Sequence, residues 1–218
     1  MSVALDHLIV AAGTLEQGVA WCEATLGITP GPGGKHPLMG THNRLFKIAT
    51  VAYPQAYFEI IAIDPEAQTP PHPRWFGLSE PAVQAALRDQ GPRLIHAVAR
   101  STMLDMHRWG LITVGCKPGD PVNLERGTYC WQMLVRSDGG MDAGGALPTL
   151  LQWLGPHPAD AMPESSATLR ALALSGINDR ARDVLRPRGV QVSAETTGPA
   201  LRATLATPMG ERVLQSTV

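Results

Sequence analysis

The sequence predicts an α+β fold assembled from repeated βαβββ-like units, and three observations carry that expectation. First, LDHLIVAAGTL, starting at Leu5, returns 89 residues later in outline as LIHAVARSTML, starting at Leu94. Leu5, His7, Ile9 and Leu15 find counterparts in Leu94, His96, Val98 and Leu104. Second, each copy runs from an apolar strand into a Thr-bearing helix start. Third, each is followed, roughly 55 residues on, by an apolar run holding one polar residue: Glu59 in YFEIIAID and Gln152 in LPTLLQW. A unit that twice places a His at one end and a polar group at the other points to one composite site.

Residues 3–12 read as a strand apolar on both faces. Thr14 with Gln17 forms a capping box, and a helix then runs to about Leu26, burying Leu15, Val19, Cys22 and Leu26, with Gly27 as its C-cap. The Gly- and Pro-rich GITPGPGGKHPLMGTHN is loop. Strands at Asn43–Val51 and Tyr57–Ile63 complete the first unit, residues 1–65. Four prolines in DPEAQTPPHPRWF exclude regular structure there, so residues 66–93 are a connection followed by a helix over Glu80–Asp89 capped by Ser79. The second unit, 94–155, holds a strand from Leu94, a short helix near Leu104–Trp109, a loop to Asn123, and strands at Gly127–Arg136 and Leu147–Leu154. Residues 156–218 read as a degenerate third unit: a strand in ATLRALALSG, a short helix in NDRARDVLR, strands around Val192, Ala203 and Val213, and a hairpin turning at Gly210. Ala171 stands in the slot of His7 and His96, so this copy supplies structure rather than ligands.

A net charge of −1 over 218 residues, with no basic run, argues against nucleic-acid or anionic-membrane partners. No stretch approaches the roughly 20 apolar residues of a membrane span, and MSVALDH lacks the pattern of a secretion signal. Cys22, Cys116 and Cys130 are widely spaced, which fits neither a disulfide framework nor a thiolate cage and does fit a reducing cytoplasm.

Glu59 is the most diagnostic residue, because Tyr57, Phe58, Ile60, Ile61 and Ile63 leave neither face of its strand solvent-like. A carboxylate buried there must be paired, metal-bound or neutralised. A lone His on an apolar strand is usually a satisfied core residue, but two at equivalent repeat positions suggest ligands. His7, His96 and Glu59, with Gln152 in the second carboxylate's slot as a weaker amide donor, are therefore the candidate metal ligands. Imidazole and carboxylate together suit Fe, Zn, Ni, Co or Mn, and two His with one Glu resemble an open facial triad. His42, Asn43 and Arg44 are candidate substrate contacts at the end of the Gly-rich loop, with Trp131 and Trp153 as aromatic lining. His72, His107 and His157 read as solvated or capping. No P-loop, dinucleotide fingerprint or nucleophile elbow is present.

LDHLIVAA, KHPLMGTHNRLF, YFEIIAIDP, LPTLLQWLGPHPAD and PMGERVLQ together resemble the vicinal-oxygen-chelate superfamily, and more narrowly its glyoxalase-like domain proteins. That resemblance implies paired βαβββ modules whose curled mixed sheets form a cavity holding a divalent metal, as in the glyoxalase and bleomycin-resistance folds. Carried over, the ligand slots on first and last strands are His7, Glu59, His96 and Gln152. It further implies a metal-dependent enzyme acting on a small oxygenated substrate, with lyase, isomerase or dioxygenase chemistry in which Glu59 or a further base moves the proton. The alternative is a metal-free protein that binds or sequesters a small molecule. Modules in related folds also pair across a homodimer, and an odd number of units here leaves one without an internal partner.

Overall fold

The computed structural model describes residues 2–216. The first unit comprises strand β1 (Ala4–Ala11), helix α1 (Leu15–Leu26), β2 (Lys35–His36), β3 (Thr41–Lys47) and β4 (Tyr57–Ile63). Thr14 caps α1 by accepting the Gln17 N–H at 3.2 Å, and Gly27 ends it in a left-handed conformation. Gly18, rather than Val19, faces the sheet, because a Cβ there would come within 2.3 Å of Ile60.

Helix α2 (Pro81–Gln90) follows the proline-rich connection. Its N-cap is Glu80, while the Ser79 hydroxyl accepts the Arg74 N–H instead of capping the helix. The second unit is β5 (Arg93–Arg100), α3 (Leu104–Thr113), β6 (Asp120–Arg126), β7 (Tyr129–Val135) and β8 (Thr149–Trp153). Strand β6 begins inside the stretch expected to be loop. It tolerates Pro121 because it is an edge strand, with one side free of ladder partners. After the four-residue α4 (Pro158–Ala161) come β9 (Thr168–Ser175), α5 (Asp179–Leu185), β10 (Val190–Ser193), β11 (Leu201–Thr207) and β12 (Gly210–Gln215).

The first two units share one eight-stranded sheet ordered β2-β3-β4-β1-β5-β8-β7-β6. Each pairs its first strand in parallel with its last, β1 with β4 and β5 with β8, and the units join where β1 and β5 run antiparallel. The third unit has the same element order but different wiring. Its first strand, β9, pairs in parallel with β10 and antiparallel with β11, giving a separate four-stranded sheet ordered β10-β9-β11-β12.

That smaller sheet covers one face of the large one. Leu172, Leu174, Ala203 and Leu205 join Leu8, Val10, Phe58 and Ile60 in a single core with Cys22 and Leu26 of α1. Tyr53 pins the two layers together: its hydroxyl donates to the Gly189 carbonyl and accepts the Leu172 N–H at 3.0 Å. The opposite face of the large sheet is filled in part by the connection and α2, as Trp75, Phe76, Leu78 and Leu87 pack on Ile9, Ile61, Val98, Trp131 and Leu151. Among the described residues no helix is long and apolar enough to cross a membrane. We expect Tyr53→Phe, which strands two backbone groups in a dry interface, to lower stability by roughly 1–3 kcal/mol in urea titration.

Candidate functional site

Strand alternation decides which side chains meet on the half-filled face. His7 on β1, Glu59 on β4 and Asn43 on β3 share it, as do Trp131 and Trp153 of the second unit. His42 and Arg44 flank Asn43 and therefore point to the other side, with Arg44 exposed, so neither touches this site. Only Asn43 of that trio reaches it.

His7 is the centre. Its Nδ1 lies 2.7 Å from Asp6 Oδ1 and its Nε2 lies 3.2 Å from Glu59 Oε2. Adjacent residues of a regular strand point to opposite faces, so an Asp6–His7 contact needs a distortion. A β-bulge supplies it: Leu5 pairs with Ala99 and His7 with Val98, leaving Asp6 without a partner and turned toward His7. Asp6 is fully buried, and its second oxygen accepts the Trp153 indole N–H at 2.8 Å and His157 Nε2 at 3.0 Å. His157 Nδ1 in turn accepts the Ala159 N–H, which leaves Nε2 to donate to Asp6. Of the two roles expected of it, solvated or capping, His157 takes the second as the N-cap of α4, but it is buried and holds Asp6 in place.

Glu59 is met from the other side by Asn43, which donates through Nδ2 at 2.6 Å. The Asn43 Oδ1 accepts the Gly34 N–H at 2.8 Å and a long contact from Arg126 Nη1 at 3.4 Å. Gly33 and Gly34 explain the glycine-rich loop. A Cβ on Gly33 would fall 1.9 Å from the Asn43 carbonyl oxygen, and one on Gly34 would fall 2.6 Å from Arg126 Cδ. His36 completes the group, with Nδ1 at 3.2 Å from the Thr41 hydroxyl and Nε2 at 3.5 Å from Asn43 Nδ2.

Burial alone would push the His7 ring toward neutrality, but hydrogen bonds to Asp6 and Glu59 and their two charges prevail and raise its pKa to about 9. Burial would raise Glu59, yet the His7 contact, with smaller help from His36 and Asn43, brings it down to about 2. Asp6 is likewise held below the ordinary carboxylate range, its desolvation outweighed by His157 and His7. His36, for which burial dominates, falls to about 4. At neutral pH the centre is thus an imidazolium between two carboxylates beside a neutral imidazole.

The second unit's half is chemically different. His96 is fully buried under Phe76, with its Nδ1 donating to the Gly145 carbonyl at 3.1 Å. Its Nε2 accepts the Thr149 N–H at 3.1 Å and lies 2.9 Å from the Thr149 hydroxyl, and burial lowers its pKa to about 4. Strand pairing also reassigns the carboxylate slot. Glu59 pairs with Ile9, and Thr149 pairs with Val98, the repeat counterpart of Ile9. Thr149, not Gln152, is the equivalent of Glu59. Gln152 faces the other side of the sheet, where its Oε1 accepts the Leu104 N–H at the start of α3.

These positions do not fit the four-ligand metal site expected from His7, Glu59, His96 and Gln152. His96 has both ring nitrogens committed, Gln152 points away, and among the described residues no cluster of three or more His, Cys, Asp and Glu is arranged to hold a metal ion.

The architecture and a family model agree. The glyoxalase-like domain model matches residues 5–186. The chain belongs to the glyoxalase-like domain family. Its curled eight-stranded sheet of two βαβββ units is the fold of that family, and the extra four-stranded sheet backs it. A hypothetical protein from Staphylococcus aureus is similar over 100% of this chain and 87% of its own, at 13% identity and a TM-score of 0.57. Methylmalonyl-CoA epimerase from Mycobacterium tuberculosis aligns with 72% of this chain and 91% of its own, at 19% identity and a TM-score of 0.42. A variant of the Streptomyces coelicolor methylmalonyl-CoA epimerase, in complex with 2-nitronate-propionyl-CoA, aligns with 71% of this chain and 100% of its own, at 16% identity and a TM-score of 0.45. No curated protein matches the chain.

The His7 shift makes stability pH-dependent with a definite sign. A raised folded pKa means the His7 contribution is complete below 6.5 and is lost as pH climbs from 6.5 toward 9. The Glu59 contribution has the opposite sense: it is present above 4.5 and lost as pH falls toward 2. Asp6→Asn, which removes one partner of a buried ion pair, is expected to cost on the order of 3 kcal/mol and to flatten the alkaline decline, as read by urea unfolding at stepped pH.

Proposed function

We propose that this chain is a metal-independent small-molecule-binding protein, whose ligand keeps its polar end at the mouth of the chamber lined by His36, Asn43, Glu59 and Arg126. One observation carries the reading: the nitrogens a metal would need are already used. A histidine ligates through an unprotonated nitrogen. His7, gripped at one nitrogen by Asp6 and at the other by Glu59, would have to release a carboxylate contact to do so. His96 would have to break its contacts with Thr149 or Gly145.

The same electrostatics weigh against acid–base catalysis as the main task. An efficient general base titrates near the working pH, whereas Glu59, with its carboxyl at about 2, holds protons poorly near neutrality. Lyase, isomerase or dioxygenase chemistry on a bound metal would also lack the protein donors that such a centre requires. Fixed, fully oriented dipoles and charges suit recognition. Trp75 adds to them: it lines the same chamber, and its buried indole N–H has no partner among the described residues.

Elemental analysis of untagged protein, purified without chelator and then incubated with Fe²⁺, Zn²⁺, Ni²⁺ and Mn²⁺, is the test. The expected result is far less than one ion per chain, with no thermal stabilisation by any of the four. One tightly held ion per chain, lost in both His7→Ala and Glu59→Gln, would overturn the proposal.

A further inference from the structure

The chamber around His7 and Glu59 measures about 30 Å³, room for one or two waters and far below the roughly 300–1,000 Å³ of ordinary ligand pockets. A ligand whose polar end sits at the mouth of this chamber must therefore keep its body elsewhere. Next to the chamber lies a groove of about 500 Å³, and Leu45 and Arg126 line both spaces. The groove runs between the end of α1, strand β3, the β6–β7 turn and the segment after α4, and its apolar wall includes Ile28, Phe46, Tyr129 and Met162.

Its charge is one-sided. Arg126 and Glu164 are the charged residues of the lining, and Glu164 is neutralised by an ion pair with Lys47. Among the described residues no carboxylate lies within ion-pair distance of Arg126, whose polar contact is the long one to Asn43. A guanidinium with donors to spare, at the junction of an apolar groove and a polar chamber, selects a planar anion attached to an apolar body.

We infer that the groove binds an amphiphilic carboxylate, its anionic head paired with Arg126 and its apolar body lying against Phe46, Tyr129 and Met162. This inference rests on the metal-independent reading only in placing the head beside the chamber. The Arg126 Nη1 that makes the long contact to Asn43 Oδ1 is a donor the head group would claim, so binding competes with the contact to Asn43, whose Nδ2 holds Glu59. Glycine at position 34 is what lets the Arg126 side chain pass this close to the loop, since a Cβ there would fall 2.6 Å from Arg126 Cδ.

Fluorescence titration with dansyl-labelled undecanoate and its uncharged primary amide tests the claim. The acid is expected to bind wild-type protein at least about tenfold more tightly than the amide, as one charge-assisted contact implies, and salt should weaken the acid alone. Arg126→Gln should bring the acid down to the affinity of the amide, Arg126→Lys should keep most of the preference, and Met162→Asp should weaken both probes. Equal affinities for acid and amide in the wild type, or no binding of either, would overturn the inference even if the protein proves metal-free. Metal found with the acid preference intact would overturn the preceding proposal and leave this one standing. Should Arg126→Gln fail to fold by circular dichroism, the salt dependence and the Arg126→Lys result decide the matter.

Discussion

A protonated histidine clamped between two carboxylates in a dry sheet is the interaction on which the rest of this site depends. Each of the three charges would be intolerable there alone, since burying an isolated ion costs several kcal/mol even after relaxation. Together they leave one net negative charge, spread over hydrogen bonds from Trp153, His157 and Asn43. The chain of contacts ties β1 to β4 and β3 within the first unit, and to β8 and the start of α4 beyond it. The bulge at Asp6 is the backbone feature that makes it possible, because without it Asp6 and His7 could not face each other.

The two halves of the large sheet have kept their wiring and parted in chemistry. His7 with Glu59 is ionic and lines a chamber, whereas His96 with Thr149 is neutral and sealed under Phe76. Replacing a carboxylate by a hydroxyl removes the charge that would hold a proton on the second ring, so burial prevails and that imidazole becomes a core residue. The Trp75–Phe76 segment, lodged on the same face, leaves little volume near the centre and shifts the space for a ligand outward into the groove. The third unit contributes no polar group to the chamber; its sheet supplies the apolar backing against which β1 and β4 are held.

Much of this is legible in the sequence, and the parts that are not have physical reasons. The repeated element order, the Thr14 cap, the Gly27 stop and the demand that Glu59 be paired all follow from local periodicity and the cost of burial. Strand β6 is hidden because Pro121 and alternating exposed residues look like loop when the pairing partner is unknown. Gln152 takes the wrong slot because counting along apolar runs gives spacing but not register, and any odd slip, here the three residues from Thr149 to Gln152, reverses the face. The same alternation separates Asn43 from His42 and Arg44. Asp6 and His157 escape a reading of the sequence, since their meeting requires a bulge and a contact 151 residues apart in the chain. Two signals point their way: a carboxylate inside a strand apolar on both faces, and a histidine next to a proline-started turn.

The charge state of His7 decides between a filled ionic centre and an open ligand set. Nitrogen-15 NMR of the histidine rings, titrated from about pH 5 to about pH 10 to bracket the ordinary and raised imidazole ranges and assigned with His7→Gln, reads it directly. His7 is expected still to carry protons on both ring nitrogens well above neutrality, losing the second only near its pKa of about 9, while His36 and His96 are neutral at pH 7. A His7 ring that is neutral at pH 7 would contradict that expectation, and would return an unprotonated nitrogen to the site for a metal ion.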